Sequence, residues 1–377
     1  MTTLAPVPRE PSEPALPVDY SVEITSLTVS SELSHDWQYL QALASPSIFL
    51  DWLWLSTWLD SYKPTALVAR VTLGNALVAM GVFAVHDERR HGFLRSRVAL
   101  LHQVGNEAED QIWVEYNGML AAPEHEGIAL KLACEALQRQ GHCDEVHVSM
   151  ALANSISSHF NPSRVIHVSD SIAGYQYGFN RSAAAPDDVL STFSANTRYQ
   201  IRRSIRGYEN IYGTPRITAA ATAEEALEMF HEAGIWHRER WNDSGFNNPS
   251  FLKFHEGLIK RGFHHGSTQL LRVSFGSTVI GVFYFLVSGR RVYFYLQGLR
   301  TEPDGKLKPG LTGHCLTMQY FYEQDFEIYD FMGGESQYKA QLSNEKNAFI
   351  TLRLHNNKWR FRLEHRARQL KHLLTGR

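Results

Sequence analysis

The sequence predicts an α/β protein of two tandem units, each a mixed β-sheet flanked by helices. Three observations predict it. A chain of 377 residues is long for one domain and suits two. Apolar residues make up 44% and charged residues 20%, the balance of a globular chain with enough apolar side chains for two cores. The same order of elements, β-β-β-α-β-α-β, also reads twice along the chain, as a match of pattern with weak residue-level similarity between the halves.

Residues 1–20 carry Pro6, Pro8, Pro11, Pro14 and Pro17, with Arg9 and Glu10 among them. They lack the continuous apolar core of a signal peptide and are expected to form a flexible leader. The first unit spans 21–185. Residues 48–59 are dense in large apolar side chains, and Trp54, Trp58 and Tyr62 at i, i+4, i+8 predict one buried helix face. Asp51 interrupts this stretch, the longest apolar run, and it falls short of the about 20 residues needed to cross a bilayer. Strands are predicted at 65–72 and 76–85, with Gly74 and Asn75 in the turn between them tolerating the positive φ of a tight hairpin. A third strand follows at 93–103. A helix over 124–139 ends before Gly141, a strand covers 145–149, and a short helix and a strand at 164–168 close the unit.

The second unit, 186–355, repeats the order. Strands at 269–275 and 278–287 join through Gly276 and Ser277, and a third at 291–299 follows Ser288 and Gly289. A Gly/Pro-rich loop leads into a helix at 311–323, then come a strand at 326–331, a short helix near Glu335 and a last strand at 348–354. A hairpin plus third strand followed by a helical crossover gives a mixed sheet with helices on its faces. At each crossover the helix start offers free N–H groups and a positive dipole end, suited to a phosphate-bearing donor.

Composition excludes several classes. The formal charge is −2, from 37 Lys and Arg against 39 Asp and Glu, so no DNA partner is expected from global charge. Cys134, Cys143 and Cys315 lack paired spacing, cannot build a disulfide framework and fit a reducing compartment. Among 18 histidines none is paired at i, i+4 around a glutamate; His231 and His237 are six apart and His264-His265 falls in a turn, so no metal site is expected. There is no Gly-x-Ser-x-Gly elbow and no Walker phosphate loop.

Two segments point to chemistry. Between the units, Ser194 or Asn196 can cap a helix on which Arg198, Arg202 and Arg206 share one face with Arg203 beside them, while Ile201, Ile205 and Tyr208 face inward. No acid lies between Arg198 and Arg206, so these guanidinium groups repel unless an anion neutralises them. Arg forks suit phosphate; the alternative is a solvated helix face. In the second segment, Tyr329-Asp-Phe-Met-Gly-Gly-Glu-Ser-Gln-Tyr-Lys339 runs from a strand end through a glycine turn into a short helix. Ligands of open sheets bind at the carboxyl ends of strands. There Lys339 would stabilise an oxyanion or phosphate, Glu335 would accept a proton and Tyr338 would donate a hydrogen bond; alternatively Asp330 caps the turn and Lys339 is simply exposed.

These segments, the hairpin at 279–298 and the Pro309-Gly-Leu helix start resemble the CelD-like, cellulose-biosynthesis-associated branch of the GNAT acyltransferase superfamily. Residues 187–354 carry nearly all of the likeness, whose motifs are specific to the family and not to a substrate. The first half is similar to that family's degenerate amino-terminal unit, with Trp113-Val-Glu-Tyr-Asn-Gly118 where relatives have an Asp/Tyr/Asn cluster. The branch resembles in architecture the Fem-type aminoacyltransferases, which take their acyl group from aminoacyl-tRNA and place an aromatic-Lys pair where Tyr338-Lys339 stands. The resemblance therefore implies two tandem GNAT-like units, Lys339 as electrostatic catalyst, and Glu335 as base or substrate anchor. It implies an acceptor cleft shaped by Glu239 and Trp241, on a helix similar to the family's aromatic-rich one, with Tyr116 and Asn117 from the first unit.

The donor is less sharply specified. Acetyl-CoA enzymes of this superfamily carry Arg/Gln-x-x-Gly-x-Gly/Ala before the crossover helix, whereas here Lys306-Leu-Lys-Pro-Gly-Leu-Thr-Gly313 keeps Gly310 and Gly313 without the full pattern. Lys308 and Gly310 still make an anion site at the helix start. Residues 356–377 hold seven Lys or Arg against one acid, with Trp359, Leu363, Leu370 and Leu374 on one face of a basic helix. That helix is suited either to anionic lipid or tRNA phosphates or to packing by its apolar face. The expectation is a cytoplasmic acyltransferase, at the inner membrane face if the last helix binds lipid. It would use acyl-CoA as co-substrate on an amine, hydroxyl or glycan acceptor in envelope or polysaccharide metabolism. The alternatives are an aminoacyl-tRNA-dependent transferase and a degenerate scaffold tethered to a synthase complex or a membrane.

Overall fold

The computed structural model describes residues 19–44, 46–90, 94–156, 160, 165–168, 171–181, 188–356 and 358. Most of the expected leader and of the expected C-terminal helix therefore lie outside the described residues. The first described element is β1 (Tyr20–Ser26), so Tyr20, assigned above to the leader, sits in a strand. Two helices follow, α1 (Ser31–Ala44) and α2 (Trp52–Tyr62). Asp51 starts α2 by accepting the Leu53 N–H, which explains the acid inside the apolar run.

The first sheet is built by β2 (Ala66–Leu73), β3 (Ala76–Arg90) and β4 (Leu94–Leu101), joined by the expected hairpin. A loop holding α3 (Glu107–Asp110) and the two-residue β5 (Leu120–Ala121) leads to α4 (Pro123–Arg139), then β6 (Glu145–Leu152) and α5 (Ala153–Ile156). Next come β7 (Val165–Val168) and β8 (Ile172–Gly178). The second unit opens with α6 (Ala195–Tyr212), capped by Ser194, then β9 (Pro215–Ala219), α7 (Ala223–Arg240) and α8 (Pro249–Gly262). Its sheet comprises β10 (Thr268–Phe275), β11 (Thr278–Ser288) and β12 (Arg291–Leu299). After these come α9 (Pro309–Glu323), β13 (Ile328–Gly333), α10 (Gln337–Leu342) and β14 (Glu345–His355).

The described strands join one continuous sheet in the order β1-β2-β3-β4-β6-β14-β8-β13-β12-β11-β10-β9, with β5 paired to β3 and β7 to β14 off this path. The two halves exchange their last strands: β8, from the first half, pairs with β13, and β14, from the end of the chain, pairs with β6. β8 and β14 pair with each other and so stitch the halves. Helices bridge the same seam, since α2 of the first half packs on α8 of the second, with the Trp54 and Phe254 rings 4.7 Å apart. Trp54 and Trp58 are buried, as the spacing predicts. One apolar cluster accordingly contains Trp37 and Trp54 together with Phe230 and Tyr284, and burial of such rings contributes about 2–3 kcal/mol each.

The site is positioned by an incomplete pairing. Parallel strands β12 and β13 pair only through Arg291, Val292 and Tyr293 against Ile328, Tyr329 and Asp330, then separate. A register shift sets Tyr284 opposite Leu296 and Phe285 opposite Phe294, leaving Tyr295 as the extra residue of a bulge. Such a bulge turns its side chain out of the regular alternation.

Candidate active site

Beyond the point where β12 and β13 part lies a cavity of about 560 Å³, bounded by the N-terminus of α9, the end of α7 and α10. Its walls include Trp241, Lys308, Gly310, Tyr338 and Lys339, five of the side chains or backbone positions expected from sequence, together with Arg240 and Tyr295. An adjoining cavity of about 360 Å³ reaches into the first half and is lined by Glu115, Met150 and Gly333. Trp113, Phe294, Tyr295 and Lys339 line both, so Lys339 stands where the two meet.

Lys339 and Glu115 hold the same glycine. Lys339 Nζ donates to the Gly333 carbonyl at 2.6 Å, and Glu115 Oε2 accepts the Gly333 N–H at 2.7 Å. A methyl group on Gly333 would lie 2.9 Å from Met150 Cε and 3.1 Å from Glu115 Oε1, so a side chain here would push both of these off the glycine. The turn is strained: Met332 has φ +62°, and across the seam Trp113, Tyr116 and Met150 also have positive φ. Non-glycine residues in this region cost about 1–3 kcal/mol each and cluster at functional sites.

Burial dominates the electrostatics. It pushes the Glu115 carboxyl up to about 7; the Asp330 charge adds to this, while the Gly333 N–H and the Lys339 charge oppose it. Burial likewise pushes the Lys339 ammonium below the usual lysine range, against the pull of Glu115 and Asp330. A carboxyl near neutrality beside a destabilised ammonium is a pair able to move a proton and to stabilise developing negative charge. Tyr338 stacks on buried His314, with rings 5.0 Å apart and 13° from parallel, and burial raises its phenol. His314 is held neutral, pushed down to about 3 first by burial and then by the Lys339 charge.

Other expected residues are placed differently. Glu335 is exposed and lines neither cavity; the carboxylate beside Lys339 is Glu115. Glu239 is exposed and lines neither cavity, although Trp241, two residues on, lines the larger and is 51% exposed. Asn117 is buried, donates to the Leu101 carbonyl and bonds His102, so its side chain is occupied structurally. Tyr116 donates to Asp330 and lines a separate cavity of about 720 Å³ at the amino-terminal ends of β12 and β13.

None of the four arginines of α6 lines either site cavity. Arg198 donates to the Phe193 carbonyl at 2.6 Å, Arg203 lies over the Tyr199 ring, and Arg202 and Arg206 are exposed. The helix reaches the site through Ser204, whose Oγ accepts the Lys308 N–H at 2.8 Å, and through Gly207, which lies against the wall residue Leu307. Lys308 N–H is thus occupied and Pro309 has none, which leaves the first-turn amides of Gly310 and Leu311 for an anion.

Sequence reasoning missed Glu115, Tyr295, Trp113 and Arg240 as wall residues. The run around Glu115 is visible locally, but its partner Gly333 is 218 residues away and only the seam reveals it. Among the described residues no group of three or more His, Cys, Asp or Glu is arranged to hold a metal, and no helix is long and apolar enough to cross a membrane. The three cysteines are buried and free.

No curated protein matches the sequence. Among solved structures, FemX is similar over 91% of this chain and 100% of its own, with TM-score 0.58 at 10% identity. L-PGS from Bacillus licheniformis is similar over 88% of this chain and 95% of its own, with TM-score 0.53 at 10% identity. A conserved protein of unknown function from Bacteroides thetaiotaomicron covers 89% and 100%, with TM-score 0.51 at 12% identity. Residues 195–340 match the acetyltransferase (GNAT) domain family. The chain therefore folds as two tandem GNAT-like units, the second of which contains the stretch that matches the acetyltransferase (GNAT) domain family.

Proposed function

We propose that the protein transfers an acyl group from acyl-CoA to an amine or hydroxyl acceptor, with the donor in the larger cavity and the acceptor in the smaller. The observation that carries this reading is the convergence of Lys339 and Glu115 on Gly333 where the two cavities meet. The acceptor nitrogen or oxygen attacks the carbonyl carbon, Lys339 stabilises the oxyanion, and Glu115 takes the acceptor's proton. The bond from carbon to the donor sulfur then breaks, and the proton is handed on to the departing thiolate. Positioning supplies much of the rate, because a thioester is already activated. Glu115 takes the role of base expected of Glu335, and Tyr338 orients Lys339 by fixing the start of α10 against His314.

The reduced amide cradle at α9 favours a second donor, aminoacyl-tRNA. With Lys308 N–H engaged by Ser204 and Pro309 lacking a donor, a CoA pyrophosphate would rest on two amides and the side chains of Lys308 and Arg240. The exposed arginines of α6 would then serve phosphates of a longer polyanion. The CelD-like resemblance supports an acceptor from polysaccharide or envelope metabolism, with the basic segment 356–377 as a membrane or tRNA contact. A degenerate scaffold is the competing reading, and it predicts no donor binding.

The test is a thermal-shift and transfer screen against CoA, acyl-CoAs and charged tRNA. Stabilisation by CoA, together with label transfer that Lys339→Ala lowers about 10²- to 10³-fold, supports the acyl-CoA reading. Salt-sensitive retention of charged tRNA supports the second donor. Binding of neither, with vesicle binding lost on removing 356–377, favours the scaffold.

A further inference from the structure

Asp330 is fully buried on β13 and lines none of the three cavities described. Its Oδ1 accepts the Met332 N–H at 2.8 Å. Its Oδ2 accepts the Tyr116 hydroxyl at 2.5 Å and Arg291 Nη1 at 2.9 Å. Arg291 Nη1 also donates to Gln176 Oε1 at 3.2 Å, and that oxygen accepts Asn347 Nδ2 at 3.0 Å. The first-half loop, β12 and β13 thus meet at one carboxylate, and the exchanged strands β8 and β14 join the same network further out, through Gln176 and Asn347.

A turn cap would need only the bond to Met332. The bonds to Tyr116 and Arg291 call for a different account, and the chain order supplies it. Met332 immediately precedes Gly333, and Tyr116 immediately follows Glu115, so the two oxygens of Asp330 hold the neighbours of two site residues from opposite halves. Both neighbours have positive φ, +62° and +53°, which persists only where surrounding bonds over-determine the backbone.

We propose that Asp330 is a positioning residue: bonded at once to Tyr116 and to Met332, it sets the register of Glu115 against Gly333 across the seam. The proposal rests on the acyl-transfer reading for its catalytic consequence, and the register itself is geometric. Facing Glu115 are Lys339 from α10, Asp330 from β13, Tyr295 from β12 and the Gly333 amide. Facing Asp330 are Arg291 and Tyr293 from β12, Tyr116 from the loop and Lys339 from α10. With its carboxylate partly neutralised by Arg291, Asp330 still opposes ionisation of Glu115.

The experiment titrates the Glu115 side-chain carboxyl by ¹³C NMR in wild type and in Asp330→Asn, alongside kcat and KM as functions of pH. Removing the negative charge is expected to move the Glu115 midpoint and the acid limb of kcat/KM down by about one pH unit, and to lower kcat about tenfold or more at nearly constant KM. A folded Asp330→Asn with an unmoved Glu115 midpoint overturns the electrostatic part. Tyr116→Phe keeps every charge and tests register alone: a lower kcat with the limb in place supports it, and wild-type kcat overturns it. It also stands in should Asp330→Asn fail to fold. The NMR titration needs no turnover, so a wild type that transfers nothing sinks the acyl-transfer reading while the midpoint still decides the charge of Asp330.

Discussion

Glu115 and Lys339 define the residue scale. Glu115→Gln keeps the shape of the side chain and removes the base; transfer is expected to fall about 10²- to 10⁴-fold, measured as kcat with saturating donor. In Lys339→Met the cation that favours ionised Glu115 is gone, so the acid limb of residual activity is expected to move to higher pH, opposite in sign to Asp330→Asn. Three buried histidines set an acid limit on stability. His102 is pushed down to about 4, His314 to about 3 and His255 well below the ordinary 6.5, all chiefly by burial. The unfolded chain binds these protons first, so stability present above pH 6.5 is expected to decline as pH falls toward 4, by about 1.4 kcal/mol per unit for each histidine below its unfolded pKa. Urea unfolding between pH 7 and 5 checks the sign. At this scale Tyr338 and Lys339 were legible because glycine turn, aromatic and lysine are contiguous. Glu115 was not, because its run stands out only as a whole and the partner that gives its carboxylate a role, Gly333, lies 218 residues away.

Among the elements, the β-β-β-α-β-α-β order of each half was readable from period and turn chemistry, whereas β1, α1, β8, β9 and α8 were not expected. Helix α9 and the hairpins fall within a few residues of expectation. The exchange of β8 and β14 was not readable, since periodicity reports which face of a strand is buried and not which neighbour it pairs with. The arginine helix shows the other limit. Its charge pattern suits phosphate, yet a carbonyl and an aromatic ring meet Arg198 and Arg203. Arg202→Glu is therefore expected to leave any CoA-induced thermal shift unchanged and to weaken tRNA retention if tRNA is the donor; loss of the CoA shift would return α6 to the pocket. Helix α7 crosses β12 closely: a Cβ on Gly298 would stand 2.3 Å from the Ala233 carbonyl oxygen and 2.4 Å from its Cα. Backbone cannot yield as a side chain can, so Gly298→Ala is expected to cost about 1–3 kcal/mol or more in urea unfolding, with activity following the displaced α7.

Over the whole molecule, a single sheet and a shared apolar cluster make each half incomplete without the other. The described chain is expected to unfold in one cooperative calorimetric transition, and ending it before Glu345 is expected to destabilise both halves, because β14 pairs with β6 as well as β8. Two separate transitions would contradict the stitched architecture. The same seam brings the proposed base from one half to the proposed oxyanion lysine of the other. A double-mutant cycle on kcat/KM with Glu115→Gln, Lys339→Ala and the pair tests that claim most directly. If the two act as one unit on a shared reacting centre, the double variant loses little more than the more damaging single one. Fully additive losses, or wild-type rates in either single variant, would contradict it.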